Sequence, residues 1–317
     1  MERLAQEIIE GRRLGQADDL EQLVRCELEE LLRGADRIRG SLCGSRFEFC
    51  TIVNGRSGRC GENCKFCAQS CHHRTQVQEY PFLPEEEILA DARRVERSRV
   101  GRYSIVTAGR GLHGAELEQA LSAYRRLGKE TGLALCASHG LQTLEEFRAL
   151  KQAGVGRYHA NLETSRHYFP QICTTHTFQD KVDNIRRAQQ AGLEVCSGGI
   201  LGMGESWEDR LEMALSLSEL GVVSIPLNLL HPIPGTPLEG APRMEDEDVL
   251  RAVAIFRYLN PTAWIRIAAG RDRFADGGRR LFAAGANAAI TGDMLTTTGT
   301  GVASDRAMVL DMGWELA

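Results

Sequence analysis

The chain has 317 residues, enough to bury a large core as one α/β domain. With 43% hydrophobic and 26% charged residues it reads as globular, and a net charge of -5 leaves no electrostatic footprint for nucleic acid. No apolar run reaches the roughly 18 residues that a membrane helix needs, and the charged, amphipathic amino terminus lacks a signal-peptide core, so a cytoplasmic protein with no membrane partner is expected.

Residues 1–45 read as a polar, helical segment, with Leu20, Leu23, Val24, Leu28, Leu31 and Leu32 at helical spacing. From residue 46 the pattern changes to short apolar runs alternating with amphipathic helices. Strands are expected over 47–53, 103–108, 133–138, 157–162, 194–201, 224–230, 264–269 and 288–292. Helices are expected over 115–127, 144–153, 179–191, 207–220 and 246–258. Gly154, Gly192, Gly221 and Gly285 fall where a left-handed residue ends a helix before the next strand. Eight strands alternating with helices predict a parallel (β/α)8 TIM-type barrel over 46–317, with the N-terminal helical extension, residues 1–45, packed on it.

Ten cysteines in a protein of a reducing compartment are metal ligands or catalytic groups more often than disulfide partners. Three of them, Cys60, Cys64 and Cys67, lie on a glycine-containing loop directly after the first strand. Thiolates are soft ligands for iron–sulfur clusters or zinc. Three of them hold three irons of a 4Fe–4S cubane and leave the fourth open to chelate a substrate. Phe66, beside the last cysteine, is positioned to shield the cluster or lie against an adenine. A second reading stays open: Cys71 extends the run in a ferredoxin-like way and would close the cluster, giving an electron carrier. A structural zinc site is a third, although such sites favour paired Cys-x2-Cys units.

The Cys-x3-Cys-x2-Cys spacing with its aromatic residue resembles the radical S-adenosylmethionine (SAM) superfamily, and Gly198, Ile200, Gly202 and Glu205 match a second pattern of that superfamily. From about residue 45 to the end, the chain resembles the biotin synthase family. The resemblance rests on Cys-Ala-Gln-Ser at 67–70, Tyr-His-Ala-Asn-Leu-Glu-Thr-Ser at 158–165 and Ile-Cys-Thr-Thr-His-Thr at 172–177. It continues through Val-Cys-Ser-Gly-Gly-Ile at 195–200, Pro-Gly-Thr-Pro at 234–237, Arg-Ile-Ala-Ala-Gly-Arg at 266–271 and Leu-Thr-Thr at 295–297. It implies sulfur insertion into dethiobiotin: a reduced cluster cleaves SAM to a 5′-deoxyadenosyl radical, the radical takes a hydrogen from an unactivated carbon, and sulfur from a second cluster traps that carbon. The closed interior of a barrel suits such chemistry because it keeps a carbon radical from water. A flavodoxin or ferredoxin donor, iron–sulfur assembly machinery and a homodimer are also implied. The alternative is a related barrel enzyme on another substrate, such as a hydrogenase-cofactor maturase.

The strand pattern itself points to a second site. Cys50, Cys136, Cys196 and Arg266 fall on the first, third, fifth and seventh expected strands, and barrel interiors are filled in layers from alternate strands. Any one cysteine alone reads as a small packing residue, but an arginine inside a barrel needs an anionic partner. The resemblance assigns Cys136, Cys196 and Arg266 to the second cluster. A further cysteine that the family carries on the second strand is Ser104 here. Cys50 is therefore expected to compensate, and the cluster is either a 2Fe–2S type or a 4Fe type carrying an extra sulfide. Cys26, Cys43, Cys71 and Cys173 are left as packing or loop residues. By resemblance Asn161, Glu163 and Lys181 contact SAM, Asn228 and His159 face the ureido ring of dethiobiotin, and Thr296 and Thr297 receive its carboxylate. Read alone, Asn161 also suits a helix N-cap, the histidine a structural role and the threonines an ordinary loop.

Overall fold

In the computed structural model, which describes residues 1–292, 295 and 301–317, ten strands form one sheet. They are β1 (Arg46–Arg56), β2 (Arg102–Thr107), β3 (Ala134–Ser138), β4 (Arg157–His159), β5 (Glu194–Cys196), β6 (Gly199–Leu201), β7 (Ser224–Leu229), β8 (Trp264–Ile267), β9 (Ala288–Ile290) and β10 (Glu315–Leu316). All ladders are parallel, and β1 pairs with both β2 and β9, so the sheet closes on itself. β5 and β6 are two halves of the fifth expected strand, both paired to β7. The result is the expected eight-position (β/α)8 barrel.

The helix-ending glycines explain how each turn is made. Gly154, Gly192, Gly221 and Gly285 all have positive φ, between 63° and 111°, a region open to glycine without steric cost. Helices Leu144–Gln152, Phe178–Gln190 and Trp207–Glu219 begin with capping boxes at Thr143, Thr177 and Ser206, so both ends of these helices are written into the sequence.

Two features refine the expected elements. The amino-terminal helical segment is divided into three helices, Glu2–Ile9, Glu21–Arg25 and Leu28–Cys43. The third lies against helix Asp246–Leu259, and Gly34 makes this approach possible: a Cβ there would meet the Tyr258 hydroxyl at 1.8 Å. Strand β10, two residues long, pairs with the start of β1 outside the closed ring, and a run that short carries no periodicity to detect.

Along β1 the apolar Phe47 and Phe49 are buried, and Phe47 packs with Phe282 and Trp314. The alternating residues Glu48, Cys50 and Ile52 therefore point to the other face, into the barrel. The barrel interior is the polar side of its strands.

Candidate active site in the barrel

β1 runs three residues past its expected end and delivers the cysteine loop to the carboxyl end of the barrel. The loop is held by its own backbone. The Cys60 N–H donates to the Gln69 carbonyl, the Cys71 N–H donates to the Cys60 carbonyl (both 2.8 Å), and Ser57 and Tyr80 exchange bonds of 3.1 Å beneath it. Cys60 is buried and Cys64 and Cys67 are half-buried. Phe66 and Cys67 line the interior cavity, and burial pushes the Cys67 thiol up to about 11. Three soft donors on one braced loop, opening on an enclosed space, fit a thiolate-held cluster. Cys71 is exposed and opens to an outer pocket beside Arg59 instead, so this geometry does not favour the fully ligated, ferredoxin-like reading.

Beneath the loop a cavity of about 370 Å3 runs down the barrel, and Cys50, Cys136, Cys196 and Arg266 all line it. The registers alternate sulfur and guanidinium: Cys50 lies beside Arg102 and Cys136 beside Arg157. One residue organises the floor. The Glu48 carboxylate accepts from Arg102 (3.0 Å), from Arg157 (2.8 Å) and from Arg266. Arg102 also reaches the Cys136 sulfur at 3.5 Å, and Arg157 pairs with Glu194 at the outer edge at 3.0 Å. Burial raises the Glu48 carboxyl, but Arg266, Arg157 and Arg102 outweigh it and hold the group at about 2. Burial, with the Cys136 sulfur adding to it, pushes the Cys50 thiol up to about 12. Burial also raises Cys136, opposed by Arg102 and Arg157. Cys50 and Cys136 therefore favour the thiol, and a metal centre, which binds the thiolate, would have to displace their protons.

The upper wall contains Asn161, Glu163, His159 and Asn228. Asn161 accepts from the Gly198 N–H (3.0 Å) and donates to Glu163 (3.2 Å), so its side chain bridges β-strand ends and caps no helix. Glu163 has φ 73°, a conformation uncommon outside glycine and held here by backbone bonds to Gly198 and Ile200. Close approach of the backbone here explains two adjacent glycines, Gly198 of the superfamily pattern and its neighbour Gly199. A Cβ on Gly198 would meet the Pro226 carbonyl oxygen at 1.9 Å, and one on Gly199 the Glu163 carbonyl oxygen at 2.4 Å. Glu205 of the same pattern is buried and accepts from the Gly202 and Met203 N–H groups at 2.9 and 2.7 Å, fixing the loop after β6. Asn228 donates to the Gly199 carbonyl and accepts from the Ala269 N–H. Burial lowers His159 to about 4, leaving its ring neutral near pH 7. Ser104 lines the cavity on β2.

Lys181 is not on the cavity wall. It stands half-buried in the first turn of helix Phe178–Gln190, where its charge opposes the upward pull of Cys173 and of burial on the Cys64 thiol. Thr296 and Thr297 lie outside the described residues. Sequence reasoning missed Glu48, Arg102 and Arg157, whose signal was a charge alternating with buried aromatic or apolar residues on a barrel strand. It also left Cys173 as a packing residue, whereas the fold brings it against Cys64.

The closed barrel and its cysteine loop define a class, and comparison with known proteins agrees. The Radical SAM superfamily model matches residues 56–217, and the Biotin and Thiamin Synthesis associated domain matches residues 226–315. The chain is a radical-SAM barrel enzyme. Among solved structures, methylornithine synthase superposes with a TM-score of 0.85 at 20% identity, covering 99% of this chain and 97% of that one. HydG, a hydrogenase maturase, superposes with a TM-score of 0.81 at 18% identity, covering 100% of this chain and 76% of that one. Both show the fold alone. The biotin synthase of Clostridium beijerinckii is 56% identical over 316 residues, covering 100% of both chains, and that of Alkaliphilus metalliredigens is 54% identical, covering 100% of this chain and 99% of its own. The chain belongs to the biotin synthase family, whose members hold a 4Fe–4S cluster and SAM. Among the described residues no helix is long and apolar enough to cross a membrane.

Proposed function

We propose that this protein converts dethiobiotin to biotin by SAM-dependent radical sulfur insertion. The observation that carries the reading is a single cavity lined at its mouth by Cys67 and Phe66 and deeper down by Cys50, Cys136, Cys196 and Arg266. Cys60, Cys64 and Cys67 would hold the 4Fe–4S cluster, which when bound supplies the electron that cleaves SAM.

The chain's own groups do the rest. Glu163 and Asn161 offer a carboxylate and an amide to the ribose and amino acid parts of SAM, with Lys181 giving charge from the adjoining helix. Asn228 offers an amide to the ureido ring, and neutral His159 adds a second polar contact without competing charge. Thr296 and Thr297 receive the substrate carboxylate. Cys50, Cys136, Cys196 and Arg266 would hold a second iron–sulfur cluster, which when bound would supply the sulfur. Glu48 anchors the Arg266 guanidinium, and the neighbouring arginines favour the thiolate forms of Cys50 and Cys136. Four protein ligands suit either a 2Fe–2S cluster or a 4Fe type carrying an extra sulfide, and the surplus of guanidinium charge suits an anionic occupant of either kind.

Ten free cysteines suit a reducing compartment, the cytoplasm. A flavodoxin or ferredoxin donor, loading by iron–sulfur assembly machinery and a homodimeric state follow from the family. Anaerobic reconstitution followed by SAM, a reductant and dethiobiotin tests the reading: biotin and 5′-deoxyadenosine are expected together. 5′-Deoxyadenosine without biotin would assign the barrel to another substrate.

A further inference from the structure

Outside the cavity, one group of potential metal ligands involves a cysteine of the loop. The Cys64 sulfur, the Cys173 sulfur and a ring nitrogen of His176 all lie within 4.8 Å of one another, and among the described residues this is the group that meets that criterion. Cys173 and His176 occupy the turn between the short helix Phe169–Ile172 and Thr177, the N-cap of helix Phe178–Gln190. The cysteine loop grips that turn. Asn63 accepts from the Thr174 N–H at 2.9 Å and from the Cys173 thiol at 3.3 Å, Glu62 accepts from the Thr175 hydroxyl at 2.6 Å, and the Lys65 N–H donates to the Ile172 carbonyl at 3.0 Å. The three donors are therefore held together by bonds that need no ion.

Three features point beyond packing. Cys173 Sγ is 3.3 Å from His176 Nδ1, which sets the sulfur directly against the imidazole ring. His176 pairs through Nδ1 with Glu62, and its Nε2 is buried with no hydrogen-bond partner among the described residues. A carboxylate on one imidazole nitrogen and a vacant lone pair on the other is the usual dressing of a histidine ligand. The residue is 7% exposed and Cys173 is 4% exposed, so an ion bound there would be screened from water.

We propose that the cluster-free chain binds one thiophilic divalent cation, zinc or ferrous iron, through Cys64, Cys173 and His176, at a site that competes with the 4Fe–4S cluster for the Cys64 sulfur. Two thiolates neutralise the dication, and a sulfur already bound to cluster iron is a weaker donor to a second cation. The site stands whether or not dethiobiotin is the substrate; only the competition rests on Cys64 being a cluster ligand.

Cobalt(II) is the probe, titrated anaerobically into the full-length, cluster-free protein while thiolate-to-cobalt charge transfer and tetrahedral d–d absorption are followed. One equivalent is expected, with the bands lost in C173S and H176A, retained in C60S and C67S, and absent once the cluster is loaded. Bands that survive C173S but vanish in C60S or C67S would assign the ion to the loop triad and overturn the site, as would no stoichiometric binding. Equal binding by the loaded enzyme would overturn the competition. X-ray absorption on the zinc-loaded wild type needs no variant to fold: two sulfurs and one nitrogen support the site, and three sulfurs without nitrogen overturn it.

Discussion

The molecule holds two sets of cysteines built on opposite plans. At the mouth, Cys60, Cys64 and Cys67 share one loop, braced by hydrogen bonds between its own residues. In the interior, Cys50, Cys136, Cys196 and Arg266 come from four strands and are brought together only when the sheet closes through β1 and β9. The loop carries its ligand geometry locally, whereas the interior set exists only as a property of the whole barrel. A ligand set of the first kind survives as a motif in any context, and one of the second kind is lost whenever closure is lost.

Variants at the two sets separate their chemistry most strongly. Cys64→Ala and Cys136→Ala should both reduce biotin formation to background, but only Cys64→Ala should also abolish 5′-deoxyadenosine, as chromatography of the two products would show. Loss of 5′-deoxyadenosine in Cys136→Ala would mean that the sets are not independent. Next in size, Cys50→Ala should remove the interior cluster's iron and absorption while leaving those of the loop cluster. An unchanged spectrum would return Cys50 to the role of a packing thiol.

A third effect concerns stability. The Glu48 carboxyl sits at about 2, below its ordinary 4.5, so the folded state favours the ionised form. That contribution is fully present above pH 4.5 and is lost as pH falls toward 2. Its size is roughly 3 kcal/mol, and Glu48→Gln should lower stability in denaturant titration by an amount of this order while flattening its acid dependence between those values. A variant as stable as the parent would show that the three arginines find other partners. The smallest effect belongs to Cys71→Ala, which should leave both clusters, both products and the melting temperature within error, because that side chain is exposed on the outer surface. A changed loop-cluster spectrum would instead restore Cys71 as a ligand.

The contrast also governs what was legible in the sequence. The barrel was readable because strand runs, capping residues and helix-ending glycines repeat in register, and the loop because its ligands are neighbours in the chain. Cys50, Cys136, Cys196 and Arg266 were recoverable as a set only after the strand count supplied the alternate-strand rule. Glu48 and Arg102 were not, because charges alternating with aromatic or apolar residues on a strand ordinarily mark a solvent face. Here helices cover the outward, apolar face, and the charges turn inward. Asn161, taken alone as a helix cap, bridges strand ends because Gly198 passes close beside it. Cys173 was set aside because its partner lies far away in the chain, across a contact that only folding makes.

The Glu48 hub has a consequence for how the barrel is filled. Three guanidiniums meet around Glu48, with Glu194 at the rim as the other carboxylate, so the floor carries one more positive charge than negative. That surplus is the unreturned half of an ion pair, held in place by the fold. An anionic occupant completes it, and it meets this arrangement only in the folded chain. Loading and folding are thereby linked: every gain in affinity for the occupant is also a gain in resistance to unfolding. An occupant that leaves the barrel would take that resistance with it, and one that returns would restore it.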